Sequence, residues 1–86
     1  MRATELTELV RRRPFVPFRL HLTTGQSYDI RHPDFLWVRR QCIDLVTNSD
    51  PKTGVIDNTE RISLLHIVRI EDLETAKQPS NGNGEV

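Results

Sequence analysis

The sequence contains few of the residues that mark a disulfide framework, a secretory leader or a membrane span. Its 86 residues include a single cysteine, Cys42, so an internal disulfide is excluded. No apolar run approaches the length of a signal-peptide core or a transmembrane helix. A lone cysteine without such targeting features is typical of a reducing compartment. We therefore expect a cytoplasmic protein with no membrane partner.

Residues that bind metals are also scarce. Besides Cys42, the softer ligands are His21, His32 and His66. Neighbouring members of this set are ten or more residues apart, a spacing that fits no zinc finger, zinc knuckle or HExxH motif. No cofactor motif stands out either. The sequence therefore predicts no metal site, no cofactor and no small-molecule substrate.

Enzymatic activity has one candidate nucleophile. Cys42 follows Arg39 and Arg40 closely, and neighbouring cations favour the reactive thiolate over the thiol. A strand cysteine is more often a small, half-buried packing residue. We predict that the protein is not an enzyme, and an enzyme that uses Cys42 stays as an alternative.

Acidic and basic side chains are equal in number, at 12 each. A net charge of zero argues against strong attraction of the whole chain to nucleic acid or to an anionic membrane. The charge is nevertheless uneven along the chain. Residues 1–48 hold eight arginines and five carboxylates, whereas residues 49–86 hold four basic and seven acidic side chains. This polarity is compatible with a basic face and equally with head-to-tail self-association.

The segment 17–31 predicts a β-hairpin, because apolar and polar side chains alternate on both sides of a turn. A two-residue loop would put the apolar residues of the two strands out of phase. A three-residue loop, Thr23–Gly25, aligns them on one face, with Gly25 in the left-handed conformation of a G1 bulge. The predicted cross-strand pairs are Leu22 with Gln26, Leu20 with Tyr28, and Phe18 with Ile30.

Ahead of the hairpin, residues 4–13 have the pattern of a short amphipathic helix. Thr4 is the expected N-cap, and Pro14 ends the helix because the residue before a proline is pushed out of the α region. A helix of this length is marginal alone, so its apolar face must pack against the strands. That face consists of Leu6, Leu9 and Val10.

The remaining segments predict further short strands. His32-Pro33-Asp34 breaks the second strand, and residues 35–39 and 42–47 form a second hairpin that bends at Arg39–Gln41. Its inward residues are expected to be Leu36, Val38, Ile43 and Leu45.

The second half of the chain is less regular. Residues 48–59 are predicted as an exposed loop, and residues 60–73 as a strand, a 3₁₀ turn near Leu65-His66 and a final strand. Residues 74–86 are polar and Gly-rich, which predicts a disordered tail. The ordered part is then one domain, residues 1–73, with its strands at about 17–72.

This element order resembles the SH3-like and Sm-like group of small bent barrels. Leu20–Ile30 is similar to their first hairpin, and Leu64–Ile70 is similar to their closing strand. The resemblance implies a mainly β fold: a small, bent, five-stranded barrel with an N-terminal α-helix and a 3₁₀ turn before the last strand.

Three segments of the sequence also resemble those of an uncharacterised family of short bacterial proteins. The resemblance implies a bacterial protein but no particular activity. The segments are Arg13-Pro14-Phe15-x-Pro17-Phe18-Arg19-x-His21-Leu22, Ile30-Arg31-His32-Pro33-x-Phe35 and Leu65-His66-Ile67-Val68-Arg69-Ile70-Glu71.

Several basic residues occupy positions on the polar side of the predicted strands. Together with an aromatic ring they form a candidate face that holds phosphates and stacks a base. The alternative is that the arginines form ordinary solvated ion pairs, Arg19 with Asp29, and Arg31 with Asp34 or Asp44. The candidate face comprises Arg19, His21, Arg31, Trp37, Arg39 and Arg40, and resemblance to Sm-like proteins adds His66 near an RNA-contacting position.

Taken together, these patterns favour a non-enzymatic binding or adaptor module. The expected partner is another protein or a second copy of the chain, held by strand edges or by the arginine face. The alternative is single-stranded RNA or other nucleic-acid binding of the Sm-like type.

Overall fold

The computed structural model describes residues 1–73, so the predicted tail at 74–86 lies outside the described residues. A helix, α1 (Ala3–Arg11), precedes all the strands. Two 3₁₀ turns, Pro33–Phe35 and Leu64–His66, stand directly before the third and the last strand. The strands of the described residues are β1 (Phe18–Leu22), β2 (Ser27–Ile30), β3 (Leu36–Val38), β4 (Cys42–Ser49), β5 (Ile56–Ser63) and β6 (Ile67–Asp72).

The strands form two antiparallel three-stranded sheets. In the first sheet the order is β2-β1-β6, so the last strand returns beside the first, and in the second it is β3-β4-β5. A mainly β fold with an N-terminal helix is thus confirmed, and so is the 3₁₀ turn before the last strand. The closed, five-stranded barrel is not confirmed. The sheets separate at Pro33–Phe35, where a proline that lacks an N–H begins a 3₁₀ turn between β2 and β3.

The first hairpin has the predicted register. The Leu22 N–H donates to the Gln26 carbonyl at 2.9 Å, which closes a three-residue loop. Gly25 has φ +93°, a conformation that side-chain-bearing residues rarely adopt. The other predicted pairs are present as Leu20 with Tyr28 and Phe18 with Ile30.

One apolar core joins the helix to both sheets. α1 contributes Leu6, which is 0 % exposed, while Leu9 and Val10 pack at the edge of the core. The residues of the second hairpin that were predicted to point inward are buried, except that Val38 is only half-buried. The buried core residues are Leu6, Phe18, Leu20, Leu22, Ile30, Leu36, Ile43, Leu45, Ile62, Leu64 and Ile67.

The helix begins earlier than predicted. Arg2, not Thr4, is the N-cap residue, and its backbone N–H donates to the Glu5 carboxylate at 3.0 Å. That bond satisfies a backbone donor just before the first turn, while an acidic side chain complements the helix dipole. The helix ends at Arg11, two residues short of the predicted end.

Side-chain bonds tie the helix and the turns to the strands. The Arg12 guanidinium donates to the Asp72 carboxylate at 2.8 Å and to the Val16 carbonyl at 3.0 Å, which links the end of α1 to β6. Between the sheets, the Tyr28 hydroxyl donates to the Glu60 carboxylate at 2.9 Å. These bonds hold the helix and both sheets in one arrangement.

The loop predicted at 48–59 is shorter than expected, although residues 51–59 are exposed as predicted. β4 runs to Ser49 and β5 begins at Ile56, so the hairpin turn is confined to residues 50–55. Ladder pairing between the two strands outweighs the low strand preference of their polar residues. We call residues 46–59 the distal arm.

Candidate functional site

The outer face of the first sheet carries most of the predicted basic residues. Arg19 and His21 point away from the core, because β1 alternates with the buried Phe18, Leu20 and Leu22. Across the strands, Arg19 lies opposite Asp29 on one side and Glu71 on the other. The sheet therefore presents basic residues interleaved with carboxylates.

Arg19 and Asp29 form a two-point ion pair. The Arg19 Nε and Nη2 atoms donate to the two Asp29 carboxylate oxygens at 2.6 and 3.2 Å. Arg31 lies 3.6 Å from the same carboxylate, so its partner is neither Asp34 nor Asp44. The hydrogen bond from Arg19 lowers the pKa of Asp29, and the charges of both arginines add to the effect.

His21 lies between a carboxylate and an arginine. Its Nε2 atom is 3.0 Å from a Glu71 oxygen and 3.0 Å from the Arg69 guanidinium. Nε2 donates to Glu71 when it carries a proton and accepts from Arg69 when it does not. The hydrogen bond with His21 lowers the pKa of Glu71, and the Arg69 charge acts in the same direction.

A second carboxylate-centred cluster lies on the outer face of the other sheet. Asp44 on β4 accepts from the Nε atoms of Arg39 and Arg61 at 2.7 and 2.8 Å. The hydrogen bond from Arg61, followed by that from Arg39, lowers the pKa of Asp44. Three of the predicted phosphate-binding arginines, Arg19, Arg31 and Arg39, thus each have a carboxylate partner.

The Asp44 cluster predicts a pH-dependent contribution to stability. The pKa of Asp44 is lower in the folded protein than the unfolded value of about 3.9. The ion pairs therefore stabilise the fold above that pH, and their contribution is lost as the pH falls through the folded-state pKa. We expect the urea midpoint of the native protein to exceed that of Asp44→Asn at neutral pH, and the gap to shrink in acid.

Asp34→Asn is the matched control for this prediction, because no hydrogen bond or ion pair of Asp34 is present among residues 1–73. Its urea midpoint should follow that of the native protein at every pH. A gap for Asp44→Asn that stays constant between neutral and acid pH would contradict the assignment.

Trp37 lies in a groove between α1 and β3. Its side chain is 61 % exposed, although a sole tryptophan is more often buried. The groove has a volume of about 320 Å³. It is lined by Thr7, Val10, Arg11, Arg13, Pro33, Asp34, Leu36, Trp37 and Val38. We call it the α1–β3 groove.

The basic side of the α1–β3 groove comes from the end of the helix. The Arg13 guanidinium donates to the Val10 carbonyl at 2.9 Å and so stays close to the last turn. Arg11 is exposed, and its side chain makes no hydrogen bond or ion pair within the described part of the chain. The sequence reasoning missed both arginines, since a basic run at a helix C-terminus also fits the helix dipole.

Arg40 and His66 lie in other places. Arg40 lines a groove of about 520 Å³ beside Leu65, whose side chain is 85 % exposed. His66 belongs to the second 3₁₀ turn, where its Nδ1 atom is 3.2 Å from the Thr23 hydroxyl oxygen. The seven predicted residues are therefore distributed over several surfaces rather than gathered into one face.

The potential metal ligands, which are the histidines and the Cys42 thiol, also lie apart from one another. His21 is on β1, and His32 packs edge-on against Phe35 with ring centroids 5.1 Å apart. Cys42 is half-buried on β4 opposite Ser63. Within residues 1–73, no three His, Cys, Asp or Glu side chains are grouped closely enough to hold a metal ion.

None of the helices in the described range combines the length and the apolar character that crossing a membrane requires. Comparison of the chain with known protein families, with curated proteins and with solved structures found no match.

Proposed function

We propose that this protein is a non-enzymatic protein-binding module and that the α1–β3 groove is its docking surface. The exposed indole of Trp37, set in a groove beside Arg11 and Arg13, carries the proposal. Tryptophan and arginine are enriched among the few residues that supply most of the binding energy at protein interfaces.

The chemistry of the groove selects the kind of segment that fits it. Trp37, Val10 and Pro33 offer apolar surface to an apolar anchor. Arg11 and Arg13 outnumber the one acidic lining residue, Asp34, so the rim attracts carboxylates. The expected partner segment therefore combines a large apolar residue with neighbouring Asp or Glu.

The alternative of RNA binding receives less support from the outer faces of the sheets. Asp29, Asp44 and Glu71 lie within hydrogen-bonding distance of the basic side chains that phosphates would have to contact. A phosphate would meet repulsion from these carboxylates and compete with them for donors.

We further propose that the fold is related to the SH3-like and Sm-like small barrels. β2 and β3 are treated as two halves of one bent strand interrupted at Pro33–Phe35, which gives five strands. The pairing of β6 with β1 and the 3₁₀ turn at Leu64–His66 support this interpretation.

Selection from a displayed library of random peptides tests the docking proposal. Peptides selected on the native protein should carry a large apolar residue next to Asp or Glu. Loss of a central interface tryptophan costs about 2 kcal/mol or more, so their affinity for Trp37→Ala should fall about 30-fold. Leu65→Ala, which removes an exposed apolar side chain outside this groove, is the matched control and should bind normally.

Peptides that bind Trp37→Ala as tightly as the native protein would contradict the docking surface. Titration with labelled single-stranded RNA at two salt concentrations addresses the alternative. Tight binding with a steep salt dependence, reduced by Arg19→Ala, would replace the proposal with nucleic-acid binding.

A further inference from the structure

We infer that the segment held by the α1–β3 groove is the distal arm of a second copy of this chain, so that copies associate head to tail. This inference rests on the proposed function, because it names the partner of the same groove.

The two surfaces lie at separate places on one sheet. The groove lies at the β3 edge, whereas the arm is the part of the β4–β5 hairpin that extends beyond the residues paired with β3. A molecule that offers its arm to a neighbour therefore keeps its own groove open for a third. Contact between unlike surfaces repeats from copy to copy and gives rings or open chains.

The tip of the arm carries exposed apolar residues that could serve as the apolar anchor for the groove. Val55 and Ile56 are 59 % and 49 % exposed, at the point where the turn enters β5. Residues 51–60 are all exposed, so the fold itself does not cover the tip. An exposed apolar pair on an edge strand is a surface that natural sheets usually protect.

The shape of the tip is fixed before it meets a partner. The Asp50 N–H donates to the Val55 carbonyl, and the Gly54 N–H donates to the Asp50 carbonyl, both at 2.8 Å. The Asp50 carboxylate also accepts from the Lys52 N–H at 2.8 Å. A closed turn of this kind loses little conformational entropy when it docks.

The charges of the two surfaces are complementary. The arm has Asp50 and Asp57 against Lys52, whereas the groove has two arginines against one aspartate. This pairing places the acidic tip of one molecule on the basic rim of the next, with the apolar tip against Trp37.

The contact is small, so association should be weak. Stable interfaces bury about 1,200 Å² or more in total, and one hairpin tip in a shallow groove covers less. We expect the average mass in sedimentation velocity to rise with concentration between about 10 μM and 1 mM.

Complementary variants provide the decisive experiment. The groove variant combines Trp37→Ala with Arg11→Glu, and the arm variant combines Ile56→Ser with Asp57→Lys. Each variant lacks one of the two unlike surfaces, so each alone should stay monomeric. Mixed in equal amounts they should form a dimer and nothing larger, because the groove variant still has an arm and the arm variant still has a groove.

The control variant combines Leu65→Ser with Val68→Ser, two exposed apolar positions outside both surfaces. It should associate like the native protein. If the groove variant alone associates like the native protein, the contact is not between groove and arm. A mixture that stays monomeric while the native protein associates would also overturn the inference.

The test separates this inference from the proposed function. A native protein that is monomeric at every concentration overturns self-association, whereas peptide selection on the same groove decides the binding function independently. If the selected peptides lose affinity for Trp37→Ala and the native protein is monomeric at every concentration, the groove binds a different acidic partner and not a second copy of the chain.

Discussion

Replacing Phe18 with alanine is expected to lower the free energy of unfolding by about 3–5 kcal/mol. Phe18 is 0 % exposed and stands on β1, the central strand of its sheet, which pairs with both β2 and β6. The substitution removes a ring from the core and leaves a cavity that these strands cannot easily fill. A domain of this size has a total stability of about 4–11 kcal/mol, so a large part of the stability is lost.

Urea unfolding followed by far-ultraviolet circular dichroism measures this loss. Leu65→Ala is the control, because Leu65 is apolar but 85 % exposed, and its effect should stay within about 0.5 kcal/mol. Equal midpoints for Phe18→Ala and Leu65→Ala would show that the core is not centred on β1.

Replacing Leu6 with alanine is expected to lower the free energy of unfolding by about 2–5 kcal/mol. Leu6 is the one side chain of α1 that is fully buried. A nine-residue helix is marginal without its tertiary contacts, so much of the loss should appear as undocking of α1. Hydrogen exchange is expected to accelerate in α1 more than in β1 or β4.

The same change should weaken binding at the α1–β3 groove. Thr7, Val10 and Arg11 form the helical wall of that groove, and undocking removes it while Trp37 stays in place. Leu9→Ala is the control, because Leu9 is only half-buried and should have a smaller effect on both measurements. Uniformly faster exchange in helix and strands, without selective loss in α1, would contradict a separable docking step.

The first hairpin illustrates what local patterns predict well. The alternation on each side of Thr23–Gly25 and the need for a residue with positive φ at Gly25 together specify one register. Both signals act between neighbours in the chain, so no knowledge of the remaining fold is required. The 3₁₀ turn before β6 was predicted for a similar reason, since the apolar phase breaks there.

The distal arm illustrates the opposite case. Asn48, Asp57 and Asn58 have low strand preference, yet they lie in β4 and β5 because each strand supplies hydrogen bonds to the other. The pattern of one segment does not reveal the partner that compensates for its weak preference. The separation of the two sheets at Pro33–Phe35 is likewise a property of the whole strand arrangement.

The candidate site was predicted only in part. Arg19 and its ion pair with Asp29 followed from direct cross-strand opposition, and Trp37 was singled out as the sole tryptophan. Arg11 and Arg13 were not, because their approach to Trp37 depends on how α1 packs against β3. The pattern of the individual strands also could not predict that Arg40 and His66 lie on other surfaces.

The sequence by itself determined the mainly β character, the leading helix and the register of the first hairpin, since short-range alternation and turn chemistry specify these. Only the tertiary structure decided that six strands divide into two sheets, that the β4–β5 hairpin extends beyond β3 as a polar arm, and that a helix and a strand enclose an exposed tryptophan. These features depend on contacts between segments distant in the chain, and such contacts leave no periodic trace in either segment alone.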